Sequence, residues 1–316
     1  MKKSTTASTR VLFIVDPLVN LNPSLDTSIR WMWCYRELGW EVFASTIEDF
    51  LLRDQMLCFK AKRVDFKGDF NSVFFDEDSC GEFNSFEHIH MRKDPPFDMD
   101  YVTALWFLRR SKARIFNHPD AILSNNEKIS ILDFSEASRP ALVSSSPREI
   151  LNFIAKNANG HAVIKPLNLF GGRGVDQVLL EGNQVRDLQK LEKIQIDQPG
   201  YKIVQEFDKR VFDGEVRVFT VHGGVIASCL KIPEKGNFLA NTRAGATLHR
   251  YELKPIELER ISSVASELKK RGLFVIGFDL IGGYISEINV TSPRLLIDNF
   301  LNIEPYQMCV EKFIKG

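Results

Sequence analysis

The sequence predicts an α/β protein: an N-terminal domain built on an open parallel sheet, followed by a second, α+β unit. Three observations carry that expectation. At 316 residues the chain is about twice the usual length of one domain. Apolar runs over 11–15, 41–46 and 113–117 alternate with segments of helical period near 27–38 and 98–110, the rhythm of a parallel sheet covered by helices. Beyond Asn117-His118-Pro119 the strands follow one another closely through Gly-containing turns, as antiparallel pairs do. One unit is therefore expected over residues 1 to about 120 and the second over 121–316.

Taken in order, Gly39 is the expected stop of the first helix, and the Phe-rich stretch 59–87 reads as short strands and turns. Ser146 is an N-cap with Pro147 at the first helical position, and Gly160 ends that helix. The strand HAVIKPL comes next. YKIVQEF, EVRVFTV and GGVIASCLKI then follow as strands expected to pair with one another. Leu258, Ile261, Val264, Ala265 and Leu268 recur at steps of three and four, predicting an amphipathic helix stopped by Gly272 and followed by the strand LFVIGFDLI.

Hydrophobic residues at 44% and charged residues at 26% place the chain among folded globular proteins. Lys+Arg and Asp+Glu each number 41, so no net basic field recruits nucleic acid or anionic lipid, and neither is expected as a partner. No apolar stretch approaches the roughly 18 residues of a membrane span. The run behind the basic N-terminus is too short for a signal segment, which leaves that terminus as a frayed tail. The five cysteines form no C-x-x-C, which fits a reducing cytoplasm.

Candidate chemistry concentrates near the C-terminus, in FDLIGGYISEINVTSP. Glu287 and Asn289 share a strand face by alternation, and Asp279 joins them only if the Gly282-Gly283 turn spans residues 282–284. Three converging oxygen ligands suit Mg²⁺; a hairpin with its polar side in water is the plainer meaning of the same spacing. Lys165, inside an otherwise apolar strand, and Lys128 are candidate phosphate contacts, and the loop Gly171-Gly172-Arg173-Gly174 lets backbone N–H groups approach phosphate oxygens. Arg92, Lys93 and Asp94 end a strand where an open sheet binds ligands, with Arg92 placed to grip a carboxylate; a rigid solvated turn is the alternative. His88 and His90 lack a third ligand nearby and read as polar packing rather than a metal pair.

Together DPLVNLNPSLDTS, RKDPPFD, NEK, VIKPLNLFGGRG and FVIGFDLIGGYISEINVTSP resemble the bacterial type of glutathione synthetase, an ATP-grasp ligase. The resemblance implies two ATP-grasp lobes, about 121–200 and 201–316, clasping ATP with Mg²⁺ or Mn²⁺. It implies that γ-glutamylcysteine and glycine are joined through an acyl phosphate, in a homodimer or homotetramer. Carried over position by position, Lys128, Lys165 and Gly171 to Gly174 contact phosphates, and Gln205, Glu206, Phe207 and Asp208 form the adenine hinge. Glu215 contacts the nucleotide, while Arg217 steadies the acyl phosphate together with Lys165 and the lid residues Asn241 and Arg243. Asp279, Glu287 and Asn289 match the metal ligands. Asp16, Ser28, Arg92, Lys93, Asp94, Ser292 and Arg294 match the substrate-contacting positions. Two departures stand out: Leu239 replaces a lid arginine, with Arg243 a substitute cation, and Arg294 replaces a threonine. They keep open a ligase with other substrates, or a catalytically silent nucleotide-binding homologue.

Overall fold

The computed structural model describes residues 9–297, 299 and 302–316, so most of the segment read as a frayed tail lies outside the described residues. Three sheets follow one another along the chain. The first holds β1 (Arg10–Ile14), β2 (Glu41–Ser45), β3 (Phe50–Arg53), β4 (Met56–Phe66), β5 (Val73–Glu82), β6 (His88–Met91) and β7 (Arg114–Phe116). Strands β2, β1, β6 and β7 lie side by side in parallel, as the alternating pattern predicts. Strands β3, β4 and β5 extend the sheet in antiparallel fashion. The Phe-rich stretch therefore departs from the expectation of short strands, because it holds most of one long hairpin. Its signal is Leu57, Phe59 and Ala61, buried in alternation with exposed Met56, Lys60 and Lys62. Helices α1 (Thr27–Glu37) and α2 (Met99–Leu108) cover the sheet. Asp26 caps the first, accepting from the backbone N–H of Ser28 at 2.7 Å and of Ile29 at 3.1 Å.

Helix α3 (Pro119–Ser124) leads to a four-stranded antiparallel sheet of β8 (Ala141–Ser144), β9 (His161–Pro166), β10 (Asp176–Leu179) and β11 (Lys202–Glu206), ordered β10-β9-β11-β8. Helices α4 (Pro147–Asn157) and α5 (Gln184–Asp197) bury Ile150, Leu151, Ile154 and Leu191 against Ile164, Val178 and Val204. These form a core separate from those of the other two sheets. YKIVQEF thus pairs with HAVIKPL and not with EVRVFTV. Between them Gly214, at φ +125°, re-aims the chain into another sheet.

The third sheet, ordered β14-β13-β12-β15-β16, contains β12 (Glu215–Val221), β13 (Gly224–Ile232), β14 (Thr247–Arg250), β15 (Val275–Ile281) and β16 (Tyr284–Asn289). The amphipathic helix α6 (Pro255–Lys270) and the C-terminal α7 (Glu304–Lys315) complete it. The β15–β16 turn is the two-residue Gly282-Gly283, with both φ angles positive, at +57° and +80°. By itself this turn would separate Asp279 from Glu287. A β-bulge restores the register: Leu280 pairs with Ile285 and Asp279 with Glu287, leaving Ser286 as the extra residue. The Ser286 hydroxyl donates to the Asp279 carbonyl at 3.1 Å.

Asn117, at the end of β7, ties the first sheet to the third. Its amide oxygen accepts from the N–H groups of Phe274 and Val275, both at 2.6 Å, and its NH₂ donates to the carbonyls of Val275 and Val290, both at 2.8 Å. Replacing it with alanine strands four buried backbone groups. We expect Asn117→Ala to lower unfolding free energy by about 2–4 kcal/mol, measured by urea titration.

Candidate active site

A cavity of about 260 Å³ opens between the second and third sheets, with the first sheet's loop after β6 at one end. Its wall follows from strand alternation. On β9, Ala162, Ile164 and Pro166 are buried, which turns Val163 and Lys165 to the cavity. Lys128 enters from the loop after α3. Its ammonium donates to the Leu169 carbonyl at 2.7 Å and lies 3.3 Å from Glu287 Oε1. The two lysines, distant in sequence, thus line one cavity with the β15–β16 hairpin.

The floor is a row of charges across the third sheet. Register pairs Lys231 with Glu215, Arg217 with Asp279, Asp279 with Glu287, and Gly277 with Asn289, so all of these lie on one face. Asp279 is the hub. Its Oδ1 accepts from the Lys231 ammonium at 2.7 Å and lies 3.1 Å from Arg217 Nε, while Oδ2 accepts from Asn289 Nδ2 at 2.9 Å. The Lys231 ammonium also contacts Glu215 Oε1. Burial alone would raise the Asp279 carboxyl, but the Arg217 guanidinium and the Lys231 ammonium outweigh it and hold Asp279 well below the usual carboxylate range. Burial pushes Glu215 upward despite Lys231, because Asp279 adds a second negative charge beside it. Among the described residues Arg217 Nη1 is buried without a hydrogen-bond partner, a donor for an anion to satisfy.

The other wall suits a nucleotide base. β8 begins opposite Gln205, so among the described residues no residue of β8 pairs with Glu206, a geometry in which its main chain can face a base. The Glu206 side chain accepts from Arg139 Nη1 at 2.9 Å and from Asn159 Nδ2 at 2.8 Å, and Asp208 lies 3.3 Å from Arg139 Nη2. Phe207, stacked on His161 at 4.3 Å, and Phe238 supply apolar surface. The lid meets the glycine loop directly: Asn241 Nδ2 donates to the Gly171 carbonyl at 2.7 Å, and Leu239 packs on Gly172. Leu239 thus makes an apolar contact where a lid cation is expected. Gly171, Gly172 and Arg173 line the cavity; Gly174 sits behind them, packed on Pro166 and Gln198. The Arg243 side chain lies outside the described residues.

The substrate-side residues divide. Asp94, Ser292 and Arg294 line the cavity, with Arg294 Nη2 lying 3.7 Å from Asp94 Oδ2. Asp16, Ser28, Arg92 and Lys93 stand behind the lining residues. The Arg92 guanidinium is buried over Trp31, with Nε donating to Ser28 Oγ at 3.2 Å and Nη2 to the Pro293 carbonyl at 2.9 Å. Lys93 pairs with Asp16 at 2.9 Å, and Asp16 also accepts from the Asp94 N–H at 2.8 Å. These four residues hold the wall in place from behind. His88 and His90 are core groups, 2.9 and 3.0 Å from the Tyr35 hydroxyl.

Sequence reasoning missed Lys231, Arg139 and Glu127. Lys231 alone had a signal, its alternation with Cys229 on a strand facing Arg217. Among the described residues no three His, Cys, Asp or Glu side chains form a metal-holding group. The hard-oxygen set that fits a divalent ion is mixed: the carboxylates of Asp279 and Glu287 with the Asn289 amide.

The prokaryotic glutathione synthetase ATP-grasp domain model matches residues 127–299, and the prokaryotic glutathione synthetase N-terminal domain model matches residues 9–122. The glutathione synthetase of Prochlorococcus marinus is 30% identical over 311 residues, covering 97% of this chain and 99% of that protein. That of Ralstonia nicotianae is 30% identical over 289 residues, covering 90% and 88%. Among solved structures, D-cycloserine synthetase DcsG shares the fold with a TM-score of 0.68 at 14% identity, covering 96% of this chain and 100% of that one. With both family models matched in sequence order and relatives aligned nearly end to end, the chain belongs to the prokaryotic glutathione synthetase family and is an ATP-dependent ATP-grasp ligase, a glutathione synthase.

Proposed function

We propose that this site joins γ-glutamylcysteine to glycine with the residue roles that follow. The cysteinyl carboxylate oxygen attacks the γ-phosphorus of ATP, giving an acyl phosphate and ADP. The glycine ammonium first gives one proton to solvent; its nitrogen then attacks the acyl carbon, the new C–N bond forms as the C–O bond to phosphate breaks, and a second proton passes to the departing phosphate or solvent, leaving one N–H on the amide. The observation that carries this reading is the convergence of Lys128, Lys165, Arg217 and Lys231 around one cavity with Asp279 and Glu287, a field suited to spreading negative charge. Asp279, Glu287 and Asn289 would hold Mg²⁺, or Mn²⁺ in its place, which draws charge from the phosphate oxygens. Lys165 and Lys128 steady the phosphates, Arg217 the acyl phosphate, Glu206 to Asp208 the base, and Asp94, Ser292 and Arg294 border the dipeptide. No protein nucleophile is needed.

Residues 1–120 form the substrate domain and 121–316 the ATP-grasp domain in this reading. Among the described residues Cys34, Cys58, Cys229 and Cys309 form no disulfide, which suits the cytoplasm. Met99 and Trp106, exposed on one face of α2, support self-association as a dimer or tetramer.

ADP release with γ-glutamylcysteine and glycine, set against a panel of other amino acids, tests the assignment. Turnover with another amine and none with glycine would replace the acceptor. ATP binding with no turnover on any pair would favour a silent homologue. Glu287→Gln is expected to cut metal-dependent turnover by at least about a hundredfold; an unchanged rate would remove Glu287 from the metal site.

A further inference from the structure

Glu127 precedes the phosphate-facing Lys128, and the roles assigned above leave it unused. Its Oε1 is saturated, accepting from the N–H groups of Val290 at 3.0 Å and Thr291 at 3.1 Å and from the Thr291 hydroxyl at 2.7 Å. These bonds fix the carboxylate rigidly against the segment that follows Asn289. Among the described residues Oε2 has no hydrogen-bond partner, and it is not sealed from solvent. The side chain stands where two spaces meet. On one side is the main cavity; on the other is a smaller chamber of about 50 Å³ behind Pro95, Phe97, Ile122, Leu123 and Leu167. Glu127 and Thr291 border both.

A carboxylate largely withdrawn from water, with one oxygen fixed and the other open, is a site for a cation. Two substrate ammonium groups are available to this reaction apart from the metal, that of the γ-glutamyl end and that of the incoming amino acid, and the small chamber beside Glu127 suits only the second. The chamber holds about four water-sized groups, which admits an amino acid with little or no side chain. Resting on the glutathione synthase reading, we propose that Glu127 Oε2 anchors the amine of the acceptor amino acid and that the adjoining chamber sets the limit on its size. The ammonium is thereby held at the edge of the cavity that Lys128 also lines, and it gives one proton to solvent before its nitrogen attacks.

The test separates acyl-phosphate formation from amine capture. Hydroxylamine is uncharged at neutral pH and traps an acyl phosphate as a hydroxamate, so it needs no ammonium anchor. In Glu127→Gln the amide oxygen keeps the three bonds to Val290 and Thr291 while the charge is lost. We expect this variant to form hydroxamate from γ-glutamylcysteine and ATP at near the parental rate, with its KM for glycine raised about 10- to 100-fold, the worth of one charge-assisted hydrogen bond. Its metal dependence is expected to match the parent's. Leu123→Phe, which narrows the chamber without touching the anchor, is expected to raise the glycine KM in the same way. Parental turnover with glycine alongside an unchanged glycine KM in both variants overturns the subsite alone. A fall in hydroxamate formation together with glycine use, or a raised requirement for Mg²⁺, overturns it in favour of a role at the phosphates. Absence of parental turnover with glycine, while hydroxamate still forms, overturns the acceptor reading on which it rests.

Discussion

Asp279→Asn is expected to lower kcat on the order of 10³-fold or more and to destabilise the protein at the same time. Two cations lean on this one carboxylate, Lys231 at 2.7 Å and Arg217 at 3.1 Å, and both are buried. With the charge removed, Glu215 and, for Arg217, the more distant Glu287 are left to offset them, and breaking a buried ion pair on one side costs about 3–5 kcal/mol. The rate loss follows because the same carboxylate lies against Arg217 and belongs to the proposed metal site. Steady-state kinetics and urea unfolding on one preparation check both parts. A stable variant with reduced kcat would show that the surrounding charges rearrange freely. A destabilised variant with normal kcat would remove Asp279 from the chemistry.

The second large effect comes from a residue without a side chain. A methyl group at Gly277 would sit 2.5 Å from Arg217 Nη1 and 2.9 Å from Pro293 Cβ, so Gly277→Ala must displace the guanidinium, the Pro293 segment, or both. Since Arg217 is the cation proposed to steady the acyl phosphate, kcat is expected to fall roughly 10²- to 10³-fold. ATP affinity should change little, because Lys165 and the hinge stand on another sheet. Comparing kcat with nucleotide affinity by calorimetry checks this, and equal losses in both would mean that the floor as a whole has collapsed.

Much of this site was legible in the sequence because strand alternation is a local rule. Lys165 in an apolar run and the Glu287/Asn289 pair announce their faces without any knowledge of the fold. Asp279 was legible only in part, since its partnership with Glu287 depends on a bulge at Ser286 that no turn residue signals. Arg92 shows where a local rule stops. Its position after a strand is right for ligand binding, but Trp31, Ser28 and Pro293 arrive from distant segments and bury the guanidinium. Lys231 and Arg139 lacked a motif because their partners lie far along the chain, and Glu127 was overshadowed by its neighbour Lys128. The switch of sheets after β11 was hidden as well, since adjacent strands in sequence usually pair and only the conformation at Gly214 says otherwise.

The Asn117 clamp has a mechanical corollary. The first and third sheets are bolted together by one amide and by continuous apolar packing, whereas the second sheet keeps a hydrophobic interior of its own with α4 and α5. The other face of the second sheet, through Ile203 with Ala141 and Val143, packs on the apolar cluster of the third, so any displacement of that sheet slides it along a packed seam between the stretch leading into β8 and the stretch leaving β11. Such a shear carries Lys165 and the wall around Glu206 as one piece while the charged floor stays still, so the gap between them widens without the floor having to be rebuilt on each turnover.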